Sequence, residues 1–181
     1  APSDNKASLQ ATIDAAQASG NPCGAIVLIP SVNQYGSPPY QAYPIGGTPG
    51  TAIVTIPASS YPDSPLLICG TGNGTELSMQ TLPPPPSETT TLFAVSNTAS
   101  VTFQDLEISF DAGFSQAGIA FSFLGGSNHK LFRINVENCQ YPVVINDTAG
   151  VTILQCELNY GSSFKLASAS ALQITSATQT M

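Results

Sequence analysis

Three segments of this chain follow one template. Val101-x-Phe103-x-x-Leu106-x-Ile108, His129-x-Leu131-x-x-Ile134-x-Val136 and Val151-x-Ile153-x-x-Cys156-x-Leu158 each set two alternating pairs around one extra residue, at steps of 28 and then 22 residues. Alternation with a period of two marks a strand with one buried face. The extra residue must turn the chain between the two pairs. Leu92-x-x-Val95, Ile119-x-Phe121-x-Phe123 and Val143-Val-Ile145 share the frame as a further alternating strand before each copy. Recurrence at such a period means that one unit cannot bury its apolar face alone and must stack on its neighbours.

The period matches one coil of a parallel β-helix, in which successive copies stack at about 4.8 Å and inward residues form columns up the core. A β-sandwich also uses short strands with Pro- and Gly-rich connections. It gives no reason for a bent two-part unit to recur three times. The expected class is therefore all-β, as a single β-helix domain over residues 1–181 with coils and loops over 24–181. One amphipathic helix is expected over residues 3–20, where Leu9, Ile13 and Ala16 recur at helical spacing, Ser3 or Asp4 caps the first amides, and Gly20 and Pro22 end it. Its narrow apolar face must lie against something. Gly24-Ala-Ile-Val-Leu-Ile-Pro30 follows as a strand expected to be buried on both faces. Residues 35–49 are expected as an irregular loop, and residues 82–91, with four consecutive prolines, as an extended projecting loop.

Only 8% of the residues are charged, against 42% apolar, so Ser, Thr, Asn, Gln, Gly and Pro must fill the solvent-facing positions. A cytosolic enzyme carries about a quarter charged residues. This balance suits a secreted protein, a virion component or a chain covered by neighbouring subunits. The net charge of -7 rests on Lys6, Lys130, Arg133 and Lys165 against eleven carboxylates. No basic stripe can be built from four cations, which argues against nucleic acid and anionic membranes as partners. No stretch approaches the roughly 18 apolar residues of a membrane span, and the opening APSDNK lacks the pattern of a signal peptide.

Cys23, Cys69, Cys139 and Cys156 lack C-x-x-C spacing, and the single histidine, His129, completes no recognised zinc pattern with them. Buried thiols or one disulfide are expected, with no metal and no cofactor. Asn73-Gly-Thr75 and Asn146-Asp-Thr148 are sequons that only a eukaryotic secretory pathway would modify.

Asp4-Asn-Lys-Ala-Ser-Leu-Gln-Ala-Thr-Ile-Asp-Ala-Ala16 followed by Cys23-Gly-Ala-Ile-Val-Leu-Ile-Pro30 resembles the opening motif of the pectate-lyase-like right-handed β-helix family, which includes phage tailspikes. Leu66-Leu-Ile-Cys-Gly-Thr-Gly-Asn-Gly-Thr-Glu-Leu77 resembles the next coil of those proteins, where a strand meets a Gly-rich turn. The resemblance covers nearly the whole chain. It implies a right-handed parallel β-helix whose N-terminal amphipathic helix caps the apolar end of the stack. Family members include polysaccharide lyases, glycoside hydrolases, glycan-binding tailspikes and virion proteins without catalysis, so fold and function are separate questions. Polygalacturonases carry clustered aspartates with Gly-His-Gly and Arg-x-Lys, whereas here His129 sits in Ser-Asn-His-Lys and Arg133 follows Lys130 by three. Pectate lyases use acidic calcium ligands and an Arg base on neighbouring coils, whereas Arg133 aligns with Asp105 and Gln155.

Between the last two inward positions of the template stand Glu107, Asn135 and Glu157, with Glu137 beside them. Glu107 and Glu157, two coils apart at about 9 to 10 Å, approach the carboxyl separation of inverting glycosidases, in which one acid protonates the leaving oxygen and another carboxylate activates water. Such a column is also what a solvated polar face looks like. His129 falls where Val101 and Val151 stand, which favours a structural role at a partly buried or coil-edge position over a general base. A glycan surface would draw on Tyr141, Tyr160 and Asn135, since sugars need aromatic faces and polar groups. The leading expectation is a structural or binding β-helix of a virion or extracellular assembly: a phage fibre, tailspike or capsid-decorating module. It would act as a homo-oligomer, a trimer being compatible, or beside other subunits, with possible polysaccharide contact. The alternative is a polysaccharide-degrading enzyme using the carboxylates. Residues 162–181 weaken into Ser, Ala and Thr after a last core pair at Leu172 and Ile174, so the end of the stack needs a cover.

Overall fold

A computed structural model describes residues 5–31, 42–47, 50–57, 64–71, 75–79, 89–96, 100–110, 118–146, 148–159 and, for the backbone alone, 172–176. The described chain is one helix followed by strands divided between two parallel sheets. Helix α1 is Lys6–Ala18. The first sheet takes β1 (Ala25–Leu28), β2 (Tyr43–Ile45), β4 (Leu66–Cys69), β5 (Glu76–Met79), β7 (Val101–Phe110), β9 (His129–Glu137), β11 (Val151–Leu154) and β12 (Glu157–Leu158). The second takes β3 (Ala52–Ile56), β6 (Thr90–Ser96), β8 (Gly118–Leu124), β10 (Tyr141–Asn146) and β13 (Leu172–Ser176), in the order β13-β10-β8-β6-β3.

The register follows the template. Thr102 pairs with Lys130 and Thr152 with Lys130, while Leu106 and Ile108 pair with Ile134 and Val136. β7 and β9 are long and bent. Their two halves are matched by separate strands at either end of the stack, β4 and β5 below β7 and β11 and β12 above β9. The bend falls on the extra residue of the template: Asp105, Arg133 and Gln155 have φ of 56°, 51° and 54°. One left-handed residue redirects a strand while both halves keep their inward alternation. Gly70 holds the corresponding position in the preceding repeat, and a Cβ there would lie 2.1 Å from the Asp105 carbonyl oxygen. Only glycine lets the two repeats approach.

Inward residues of both sheets form one core. Val101, Phe103, Ile108, Leu131 and Val136 are fully buried from the first sheet, and Val54, Phe93, Val95, Phe121 and Phe123 from the second. Phe103 lies 4.8 Å from both Phe93 and Phe121, and Phe121 stacks on Phe93 at 5.6 Å and on Phe123 at 6.4 Å. The rings thus join the two sheets through the middle of the stack.

Several expectations are corrected. The helix is shorter than residues 3–20 and starts after Asn5, whose side chain makes no capping bond; Ser3 and Asp4, expected as caps, lie outside the described residues. The Asn5 side chain instead donates to the Pro44 carbonyl, which holds α1 to β2. The segment 24–30 is buried on one face only: Ile26 is 69% and Leu28 58% exposed. Strand β1 ends the first sheet with its outer face bare, so a continuous apolar run did not mean two covered faces. Residues 35–49, expected as a loop, contain β2, an edge strand that tolerates Pro44 because the missing amide is not needed on its free side. Thr90 and Thr91 belong to β6 and not to the Pro-rich loop. Of that loop, residues 82–88 lie outside the described residues, as does most of 162–181, although β13 pairs with β10 through Leu172–Val143 and Ile174–Ile145.

Candidate functional site

The outward residues of the second half-repeats form a ladder of carboxylates. Glu76 pairs with Glu107, Glu107 with Asn135, and Asn135 with Glu157, while Ser78, Ser109 and Glu137 make the neighbouring column. The expected trio of Glu107, Asn135 and Glu157 is therefore aligned, with Glu137 beside it. Glu76 extends the ladder and was missed. Its signal was present, since Glu76-Leu-Ser-Met79 repeats the pattern of Glu107-Ile-Ser-Phe110.

Hydrogen bonds fix most of these acids. Ser109 Oγ donates to Glu76 Oε1 at 2.5 Å, Asn135 Nδ2 to Glu137 Oε1 at 3.3 Å, and Asn159 Nδ2 to Glu157 Oε1 at 3.0 Å. Burial, and then the charges of Glu76 and Glu137, push the Glu107 carboxyl above its ordinary value. Asn135 Oδ1, between Glu107 and Glu157, is buried without a hydrogen-bond partner. The strip is thus rich in acceptors and poor in donors. It favours donor-bearing ligands.

A second feature lies on the outer face of the first half-repeats. A groove of about 590 Å³ runs across β1, β4, β7, β9 and β11. One registered column there is Ile26, Leu67, Thr102, Lys130 and Thr152; the other is Gln104, Phe132 and Leu154, which continues outside the groove to Cys69 and Leu28. Ile26 and Leu67 stand at the β1 end and Leu154, 54% exposed, beside Thr152 at the β11 end, with Thr102, Gln104, Lys130 and Phe132 between them. The Arg133 guanidinium lies 4.1 Å over the Phe132 ring and pairs with Asp105 through Nε at 2.5 Å and Nη2 at 2.6 Å, which holds Asp105 below the ordinary carboxylate value. That pair fastens successive bends, a role not read from the alignment of Arg133 with Asp105.

His129 is fully buried at the first position of β9, so it keeps the expected place at the edge of a coil but is not partly exposed. Its Nδ1 accepts the Val101 amide hydrogen at 3.2 Å, Nε2 lies 3.2 Å from the Gly125 carbonyl oxygen, and the ring stacks on Phe123 at 5.0 Å. Burial pushes its pKa down. All four cysteines are free: Cys139 is buried, with its thiol pKa raised by burial, but Cys23 is exposed, so neither a disulfide nor uniformly buried thiols describes them. Tyr141 stands on β10 in the second sheet, away from the Asn135 column, and Tyr160 lies outside the described residues. Of the expected glycan trio, Tyr141 and Asn135 therefore stand on different sheets. Among the described residues no group of three or more His, Cys, Asp or Glu side chains is placed to hold a metal ion, and no helix is long and apolar enough to cross a membrane. Comparison of the chain with protein-family models, curated proteins and solved structures found no match in any of the three.

Proposed function

We propose that the chain is a right-handed parallel β-helix serving as a rigid structural and binding element of a virion or extracellular assembly, with a surface glycan lying along its first sheet. The parallel strands of each sheet are joined by crossovers through the other, and such connections are right-handed in roughly 98% of proteins. The groove across five registered strands carries the binding part of this reading. It offers Phe132 and aliphatic side chains as flat apolar surface, with Thr102, Gln104, Lys130 and Thr152 to meet hydroxyls, the mix that ligand clefts use. Its low charge and many hydroxyl and amide side chains suit a surface shared with further copies, a trimer among them, or with other subunits.

A second reading, a glycoside hydrolase or lyase, is favoured by one observation: burial, with the charges of Glu76 and Glu137, raises the Glu107 carboxyl above its ordinary value within a ladder of carboxylates. One panel of bacterial and plant polysaccharides separates the two. Binding without new reducing ends or unsaturated products, weakened about tenfold by Lys130→Ala or Phe132→Ala, is expected, a loss of roughly 1.4 kcal/mol. Cleavage abolished by Glu107→Gln would instead establish the enzyme. Absence of both binding and cleavage across the panel would leave the glycan reading without support and favour a purely structural role.

A further inference from the structure

His129 is the one histidine of the chain, and it stands in a core column otherwise filled by aliphatic side chains, Leu66, Val101 and Val151. A valine there would bury as much apolar surface and would need no partner. The imidazole instead uses both nitrogens. Nδ1 takes the amide hydrogen of Val101, the first residue of β7, and so ties two successive repeats side chain to backbone. Nε2 faces the Gly125 carbonyl oxygen, which also accepts from Thr148 Oγ1. Because Nδ1 must be an acceptor to receive the Val101 hydrogen, the ring is the neutral tautomer with its proton on Nε2.

We propose that His129 is a proton-operated latch between successive repeats, closed while the ring is neutral and opened when water delivers a proton to Nδ1. Once protonated, Nδ1 points a hydrogen at the Val101 amide hydrogen, and two donors cannot share one bond. A charged ring would also be held against Phe123 in the core, away from water. The ring meets Phe123 from β8, Val101 from β7 and Gly125 from the connection before β9, and it faces Val151 of β11 in register; none of these is titratable. Lys130, next along β9, is on the outer face, and no charged group among the described residues shifts the ring. The Gly125 carbonyl oxygen favours the imidazolium, but the loss of hydration on burial outweighs it, so the closed state disfavours the charged ring.

The folded-state pKa lies below the ordinary 6.5, so the unfolded or opened chain binds the extra proton first. The latch is fully closed above about pH 6.5 and loses stability as pH falls from there toward the folded-state value. One proton lowers the closing equilibrium by up to about tenfold per pH unit in that window. The opening is local to the start of β7 and β9, near the aromatic centre of the core.

With a single histidine, the imidazole signals of the intact protein can be followed by NMR without assignment ambiguity. The expected result is a titration midpoint below 6.5, the Nε2–H tautomer at neutral pH, and faster hydrogen exchange of the Val101 amide as the ring protonates. In His129→Gln the side-chain oxygen can accept the Val101 hydrogen but cannot titrate, so the loss of stability as pH falls below about 6.5 should shrink relative to the natural protein. An ordinary titration with Val101 exchange indifferent to it would overturn the proposal. So would a His129→Gln protein with an unchanged pH dependence. If that variant does not fold, ring titration and Val101 exchange in the natural chain decide between latch and inert core residue.

Discussion

At the bend of each repeat, three residues share a left-handed backbone but not its consequences. Asp105 and Arg133 recover the cost through their ion pair, whereas the Gln155 side chain is exposed to solvent. A left-handed non-glycine residue costs roughly 1–2 kcal/mol, partly offset by the extra freedom glycine has when unfolded. Gln155→Gly should therefore raise stability by about 0.5 kcal/mol in urea denaturation, while Arg133→Gly, which removes the pair and the contact with Phe132, should lower it. Glu107 gives a second test. Its folded-state pKa is raised above the ordinary 4.5, so the stability it contributes is complete below that value and is lost as pH rises through the folded one. Glu107→Gln should then unfold at a higher temperature than the natural protein at pH 7, with the difference vanishing toward pH 4. The extra residue of the template announced the bends. The pairing of Arg133 with Asp105 needed the register.

Helix α1 does more than cover the end of the core with Leu9 and Ile13. The Gln10 amide donates to the Thr55 carbonyl at 2.8 Å and accepts the Thr55 amide hydrogen at 2.8 Å, in the manner of a neighbouring strand. Gln17 donates to the Pro57 carbonyl in the same way. The helix thus closes the free edge of β3, a row of unpaired groups that would otherwise recruit another chain. Gln10→Ala should cost about 1 kcal/mol and increase self-association measured by sedimentation. Within the core, Phe103 bridges the sheets through Phe93 and Phe121, and Phe103→Ala should destabilise by about 3–5 kcal/mol, against less than about 2 for Phe103→Leu. The helix was legible from the spacing of Leu9, Ile13 and Ala16. Its use of Gln10 was not, because a glutamine on the polar side of a helix looks the same whether it meets solvent or a strand edge.

Across the whole molecule, burial falls toward the last repeat. Leu131, Ile134 and Val136 are 0–1% exposed, but their stacked successors in the template, Ile153, Cys156 and Leu158, are only partly buried and pack at the margin of the core. In a stack whose repeats touch only their neighbours, local stability follows such gradients. Native-state hydrogen exchange should therefore be slowest in β7 and β9 and fastest in β11 and β12. Equal protection along the stack would show that something covers that end in solution.

The sequence by itself determined the all-β class, the alternation of strands, the repeat steps and the outward alignment of Glu107, Asn135 and Glu157, because each follows from periodicity along the chain. Only the tertiary structure decided which apolar positions are bare, as at Ile26 and Leu28, and that His129 is wholly enclosed. It also decided that Glu76 joins the acidic ladder and that Tyr141 stands on the other sheet from Asn135. Those outcomes depend on which strand lies beside which and on what covers a face, and a one-dimensional pattern holds the inward and outward parity of a residue but not its neighbours.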